Sequence, residues 1–506
     1  MRVIFALFDS LNRSALECYG GTISTPNFNR LAARSTIFDR YYVGSMPCMP
    51  ARRDMHTGRL NFLHRSWGPI EVFDESFVIS MRENGIYTHL TSDHNHYFED
   101  GGATYHNRYN TYDFIRGQES DAWVAMVQPP LERFQEKYHP KQFGEERAPQ
   151  RIQGMINETR FKTEEDFPTT KCFDAAFDFL NENRGTDSWF LHLECFDPHE
   201  PFVSPESYRR DYQNDYDGPI YNWPQYRESL DDTPAEVAEI RANYAALVAF
   251  CDAQFGRLMD YMDEHEMWED TAVVLTTDHG FMLGEHDWYG KIRMPFFNET
   301  THIPLLIHDP RVSESWGTRN HALVQAIDLS STFLDFFDLP PNEYSLGSSI
   351  LPLLRNDIGS IRDFCLYGIF GGAINATDGQ HTYFLYPDDI DAPNLFEYTL
   401  MPTHSTSLFD VRELQSAELF RGFNFTKGVP VLKVPALGDA KRPPMQGGGF
   451  EGTKTCLFDL ETDPFQNVPL NNSDIEAKFA AQIIDEMKRH EAPEELYDRF
   501  GLTSRV

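Results

Sequence analysis

The sequence predicts an α/β protein with a large, mainly parallel central sheet sandwiched by helices, followed by a smaller C-terminal α+β subdomain with antiparallel strands. Three observations carry that reading: short apolar runs end in polar residues, helical patterns separate them, and the texture turns β-rich after about residue 360. Apolar runs of strand length between helices are the mark of strands buried on both faces.

The runs cover residues 3–8, 88–91, 189–196, 272–277 and 303–307. The first stops at Asp9, the second runs into Asp93 and His94, the third into Asp197, Pro198 and His199, and the fourth into Asp278 and His279. Parallel α/β sheets bind ligands beyond the carboxyl ends of their strands, so these four polar clusters stand where a site is expected. Helices are expected over residues 26–34, 172–181, 234–264 and 327–337. Thr233 is the N-cap of the third, with Pro234 in its first turn, and Pro340-Pro341 follows the fourth. Past residue 360, strands are expected over 365–370, 382–386 and 455–460, a Gly- and Pro-rich loop over 437–449, and an amphipathic helix over 473–490. The division expected is a catalytic domain, 1–360, and a subdomain, 361–506.

At 506 residues and 41% hydrophobic content the chain can bury a large core, which excludes a disordered scaffold. Lys and Arg total 44 against 78 Asp and Glu, a net charge of −34, and a field of that sign repels a phosphate backbone, excluding nucleic acid as a partner. Most of the acid reads as solvated surface, and local motifs decide whether some of it holds a cation. The 7 cysteines contain no CxxC pair, which suits a reducing compartment. The first residues read as a strand rather than a signal peptide, and no apolar run reaches membrane length. A cytoplasmic location without a membrane partner is the expectation, a periplasmic or secreted one requiring a leader outside this sequence.

Chemistry concentrates in Cys48-Met49-Pro50-Ala51-Arg52, followed by Thr57-Gly58. Pro50 can start a helix, leaving neighbouring amides to face an anion, and Arg52 lies within one turn of Cys48, where its fork suits a tetrahedral oxyanion. Asp9 and Asp278 are strand-end carboxylates suited to a hard cation. A basic and aromatic stretch from Phe98 to Trp123, including Tyr105, Arg108, Tyr109, Tyr112 and Arg116, reads either as a pocket wall or as core packing.

These motifs resemble the type I sulfatases of the alkaline phosphatase superfamily. Cys48-x-Pro50-x-Arg52 matches the maturation signature whose cysteine becomes formylglycine. Thr25-Pro26-Asn27, Asp197-Pro198-His199-Glu200-Pro201, Thr277-Asp278-His279-Gly280, Leu283-Gly284-Glu285-His286 with Lys291, and Leu457-Phe458-Asp459-Leu460 follow in the family's order over nearly the whole chain. The resemblance implies the alkaline phosphatase-like fold, and a site in which Asp9, Asp278, His279 and the converted Cys48 hold one divalent metal. Ca²⁺ is the expected ion, with Mg²⁺ and Mn²⁺ as alternatives. It further implies Arg52, His199 and Lys291 as catalytic residues, a formylglycine-generating maturation enzyme as a partner, and an aryl, alkyl or carbohydrate sulfate ester as substrate; a homo-oligomer is compatible with it.

Two departures qualify the pattern. Asp9-Ser10 stands where most sulfatases carry Asp-Asp, which lowers the site's negative charge, and Ser10 is left as a contact for metal or ester. Phosphonate monoester hydrolases of the superfamily share that loss and the histidine at His279. The Asp93-His94-Asn95-His96-Tyr97 cluster replaces the family's Gly-Lys-x-His, so the leaving-group contact passes to His94 or His96. The reaction expected is hydrolysis of a sulfate monoester. Its alternatives are phosphonate monoester or phosphodiester hydrolysis at the same site and, from another class, a non-catalytic sulfated-glycan binding protein.

Overall fold

In the strand Arg2–Phe8 every residue after Arg2 is buried, and alternate side chains serve opposite layers. Phe8 packs on Phe28, Phe173 and Phe255, from the helices Pro26–Ala32, Pro168–Glu182 and Pro234–Glu264. Phe5 packs on Phe333, from the helix Asp328–Asp335, and on Phe190. The odd and even positions of one strand thus define the two faces of a sandwich. The computed structural model describes residues 1–144, 148–292, 294–390, 392–436 and 454–503.

That strand is β1 of an eight-stranded sheet with β2 (Thr36–Tyr42), β3 (Tyr87–Ser92), β4 (Thr111–Phe114), β5 (Trp189–Cys195), β6 (Thr271–Thr276), β9 (Leu305–His308) and β10 (Arg319–Gln325). A two-stranded ribbon, β7 (Met282–Leu283) and β8 (Tyr289–Gly290), lies outside it. The order is β10-β2-β9-β6-β1-β5-β3-β4. Every pairing is parallel except the two made by β9, which runs antiparallel to β2 and β6. Phe8 aligns with Cys195, Leu7 with Thr276, and Ser92 with Glu194. The carboxyl ends of β1, β3, β5 and β6 therefore open at one edge, carrying all four predicted clusters.

The later part of the chain supplies two antiparallel sheets, β11 (Cys365–Gly368), β12 (Ile374–Thr377), β13 (His381–Leu385) and β17 (Cys456–Asp459) in one, β14 (Phe396–Thr399), β15 (Glu418–Phe420) and β16 (Val431–Pro435) in the other. The helix Ser473–Arg489 buries Phe479, Ala480, Ile483, Ile484 and Met487 in a cluster with Leu366, Ile374 and Leu457. Tyr367, Phe384 and Phe458 belong to the same apolar cluster as β1 and β6, so the two parts share a core.

Several elements differ from the sequence expectation. The helix expected over 172–181 starts four residues earlier, at Pro168, whose missing N–H costs nothing in a first turn. The run 303–307 becomes β9 only from Leu305. The helix Ala148–Glu158 and the β14–β16 sheet had no expectation, and the loop expected over 437–449 lies outside the described residues. Thr233 does cap the long helix, its hydroxyl accepting from Glu236 N while the Glu236 carboxylate accepts from Thr233 N. Among the described residues, no helix is long and apolar enough to cross a membrane.

Candidate active site

The helix that carries the cysteine motif spans Cys48–Thr57 and is buried along its whole length. It begins at Cys48, two residues before the expected start at Pro50, and Pro50 still falls in the first turn, where no intrahelical N–H is lost. The preceding loop is tied to β11, Met46 N donating to Gly368 O at 2.8 Å. Gly58 ends the helix at φ +70°, and a Cβ there would meet Ser345 Oγ at 2.0 Å, so only glycine serves. Cys48 is thereby fixed by both of its flanks.

Around it, one potential ligand atom each from Asp9, Cys48, Asp278 and His279 lies within 4.8 Å of every other, and all four residues are buried. Cys48 Sγ stands 3.4 Å from His279 Nε2. His279 Nδ1 faces Gly280 O at 3.1 Å, and because a carbonyl only accepts, Nδ1 carries the hydrogen and Nε2 presents its lone pair to the cluster. A Cβ on Gly280 would lie 2.0 Å from Glu299 O, which explains the glycine after His279.

Ser10 adopts φ +61°, turning its N–H to Asp278 Oδ1 at 3.1 Å while its hydroxyl donates to Asp9 Oδ1 at 2.8 Å. Lys291 Nζ reaches the same hydroxyl at 3.4 Å and lies 3.8 Å from Glu200 Oε2. Ser10 thus links a carboxylate of the cluster to the lysine. Burial opposes the charge on Lys291, yet the carboxylates of Glu200 and Asp9 hold its ammonium well above the usual lysine range. Burial raises Asp9, but the Arg52 and Lys291 charges and a hydrogen bond from His94 outweigh it and keep the carboxylate well below its ordinary value. Burial drives the Cys48 thiol well above its ordinary value, so as a cysteine it stays protonated and is a poor nucleophile.

Arg52 departs from its expected role of facing an oxyanion. Its Nε donates to Glu194 Oε1 at 2.6 Å, Nη1 to Asp278 Oδ2 at 2.7 Å and Nη2 to Asp9 Oδ2 at 2.9 Å. Three buried acids converge on one buried guanidinium because unpaired charges are costly away from water. Glu194 was missed because it lies inside an apolar run, and the only signal was an acid in a strand otherwise buried on both faces.

The histidines divide the other side. His94 is fully buried, its Nε2 3.3 Å from Asp9 Oδ2, and burial and Arg52 push it well below the usual imidazole range. His96 bonds Glu99 Oε2 through Nδ1 at 2.6 Å, with Nε2 3.9 Å from Glu119, and these carboxylates override burial to raise it. His199 Nδ1 donates to Glu200 O at 2.5 Å, and burial beside Lys291 lowers it to about 3. Phe196 sits among all three, its ring centroid 5.0, 6.0 and 4.1 Å from those of His94, His96 and His199. The aromatic stretch splits, Tyr105 and Tyr109 being core residues while Phe98 and Tyr112 are exposed.

An α/β sheet presenting a carboxylate–imidazole cluster beside a buried lysine defines a hydrolase centre built for an anionic ester. Residues 2–339 match the Sulfatase family model, and the chain belongs to the sulfatase family, hydrolases of the alkaline phosphatase superfamily whose members in general use a metal and formylglycine. It is 26% identical over 376 residues to the multifunctional alkaline phosphatase superfamily protein PehA of Trinickia caryophylli, covering 66% of this chain and 71% of that protein. It is 25% identical over 417 residues to the N-acetylglucosamine-6-O-sulfatase of Bacteroides thetaiotaomicron, covering 70% of this chain and 71% of that one. The phosphonate monoester hydrolase of Agrobacterium radiobacter shares the fold, with a TM-score of 0.65 at 18% identity over 97% of this chain and 96% of that one.

Proposed function

We propose that this sulfatase releases inorganic sulfate from a carbohydrate or aryl sulfate monoester, using formylglycine derived from Cys48 and a divalent cation, Ca²⁺ first, held by Asp9, Asp278, His279 and position 48. The observation that carries the reading is the convergence of those four residues beside Lys291. The donor set suits the ion: two carboxylates, one held firmly ionised, and an imidazole whose lone pair faces the cluster. The cation supplies positive charge that polarises the sulfuryl group. Formylglycine at position 48 would supply, as its hydrate, the nucleophilic hydroxyl and a second hydroxyl able to release sulfate.

The chain's own side chains do the rest. Lys291, held protonated, stabilises charge on the sulfuryl oxygens, and Ser10 orients it against Asp9. Arg52 keeps Asp9 and Asp278 in register rather than meeting the ester. His96, raised by its two glutamates, is the proton donor to the departing alcohol, whereas His199 enters neutral, with Nε2 open to accept a proton or orient the ester. Production with a formylglycine-generating enzyme followed by assay of sulfate release from an aryl sulfate and sulfated sugars tests the reading. Turnover lost with chelator and restored by Ca²⁺ supports it, and absence of sulfate release from every ester contradicts it.

A second reading, hydrolysis of a phosphonate monoester or phosphodiester, is favoured by Ser10 and His279. Comparing kcat/KM for an aryl sulfate and an aryl phosphonate monoester decides between them, the first reading requiring the larger value for the sulfate.

A further inference from the structure

We propose that Glu194, braced by Tyr97, is a positioning residue that sets the affinity of the neighbouring cluster for its divalent cation; the inference rests on the cation reading above. Glu194 is fully buried near the end of β5, in register with Leu7 two residues before Asp9, and stands outside the cluster of Asp9, Cys48, Asp278 and His279. Its Oε1 takes Arg52 Nε at 2.6 Å and its Oε2 accepts from Tyr97 OH at 2.7 Å. Tyr97 is itself buried, on the segment that carries His94 and His96.

The geometry gives Glu194 a specific task. A guanidinium binds a carboxylate best through two parallel N–H groups, and Arg52 has enough donors to clamp Asp9 or Asp278 in that way. Here its Nε edge is taken by Glu194, and each ligand carboxylate receives one bond, to a single Oδ2. The guanidinium is thus held to one hydrogen bond per ligand carboxylate, which leaves lone pairs for a cation. The charge count points the same way. Asp9, Asp278 and Glu194 converge on the one guanidinium of Arg52, so neutralising Glu194 removes one of the three negative charges around it. Burial raises Glu194, and Arg52 and the Tyr97 hydroxyl oppose that rise by bonding the ionised form.

Neutralising Glu194 weakens cation binding by two routes of the same sign: a nearby negative charge is lost, and Arg52 is freed to clamp the ligand carboxylates. Isothermal titration of Ca²⁺ into the full chain after chelator treatment, with Glu194→Gln beside the parent, tests this. Glu194→Gln should raise the Kd about tenfold or more. It should also shrink the rise in Tm on adding Ca²⁺ while the metal-free Tm is unchanged or higher, since removing one of three converging acids relieves repulsion. A merely structural role would instead lower the metal-free Tm and leave the Kd alone. Tyr97→Phe, which removes only the brace, should raise the Kd in the same direction by a smaller factor and serves where Glu194→Gln does not fold. A Kd unchanged in whichever variant folds overturns the proposal, whereas absence of Ca²⁺ binding by the parent chain defeats the cation reading itself.

Discussion

The two halves of the active site are built differently. The half proposed to hold the cation, Asp9, Cys48, Asp278 and His279, stands just past the ends of two parallel strands and in the first turn of a buried helix, with Asp278 accepting from Ser10 N and His279 N and Cys48 Sγ 3.4 Å from His279 Nε2. The leaving-group half, His94, His96, His199 and Lys291, stands on loops and draws its charge states from Glu99, Glu119 and Glu200, far apart in sequence. The first half is rigid because adjacent strands fix register to within a hydrogen bond; the second is tunable because carboxylates on separate loops set how readily each histidine holds a proton. Chemistry common to a family belongs in the first kind of structure and substrate preference in the second.

Removing pieces of each half tests that division. Cys48→Ala should cut sulfate release by about 10⁴–10⁶, to background, in a steady-state assay, because the proposed nucleophile is lost. Asp278→Asn should lower kcat/KM by about 10²–10³, since a carboxylate of the cluster is lost and Arg52 is left with less to pair. Excess Ca²⁺ should rescue it in part, whereas full activity at low Ca²⁺ would remove Asp278 from the site.

The loop half should answer to pH. A raised imidazole stays protonated above its ordinary value near 6.5, so its acid role is complete below that and lost as pH rises through the folded value. The stability it contributes follows the same sign, full below about 6.5 and lost as pH climbs through the raised value. His96→Gln should lower kcat by about 10²–10³ and abolish the alkaline limb of the kcat profile. If the limb survives in that variant, the proton donor is another group. The smallest effect belongs to the support of the rigid half. Tyr244 OH donates to Ser10 O at 2.9 Å and accepts from Asn12 N at 2.8 Å, so Tyr244→Phe should cost about 1–2 kcal/mol in urea unfolding and change kcat little.

The same contrast governs what the sequence made legible. Runs that end in Asp9, His94, His199 and His279 placed those residues at one sheet edge, because parallel register is local and alternation is absent only in doubly buried strands. Asp9 and Asp278 were legible as strand-end carboxylates and Cys48 and His279 through the family resemblance, and the structure brings one potential ligand atom of each within 4.8 Å of the others. Glu194 was hidden by its own strand, and the choice between His94 and His96 depended on Glu99 and Glu119, whose approach is tertiary. Arg52 was assigned the wrong neighbours for the same reason, since nothing in Cys48-x-Pro50-x-Arg52 says that three acids will surround the guanidinium. The acidic surplus, 34 charges, is nearly all outside this centre, and the attraction for an anionic ester is local.

The proposed conversion of Cys48 to formylglycine carries the most weight, and the mass of the peptide that contains Cys48, taken from catalytically active protein, tests it most directly. The predicted result is a peptide whose thiol has been replaced by an aldehyde, reactive towards hydrazides, in a fraction that rises with specific activity. Full sulfate release from protein whose Cys48 peptide retains its thiol throughout would contradict it.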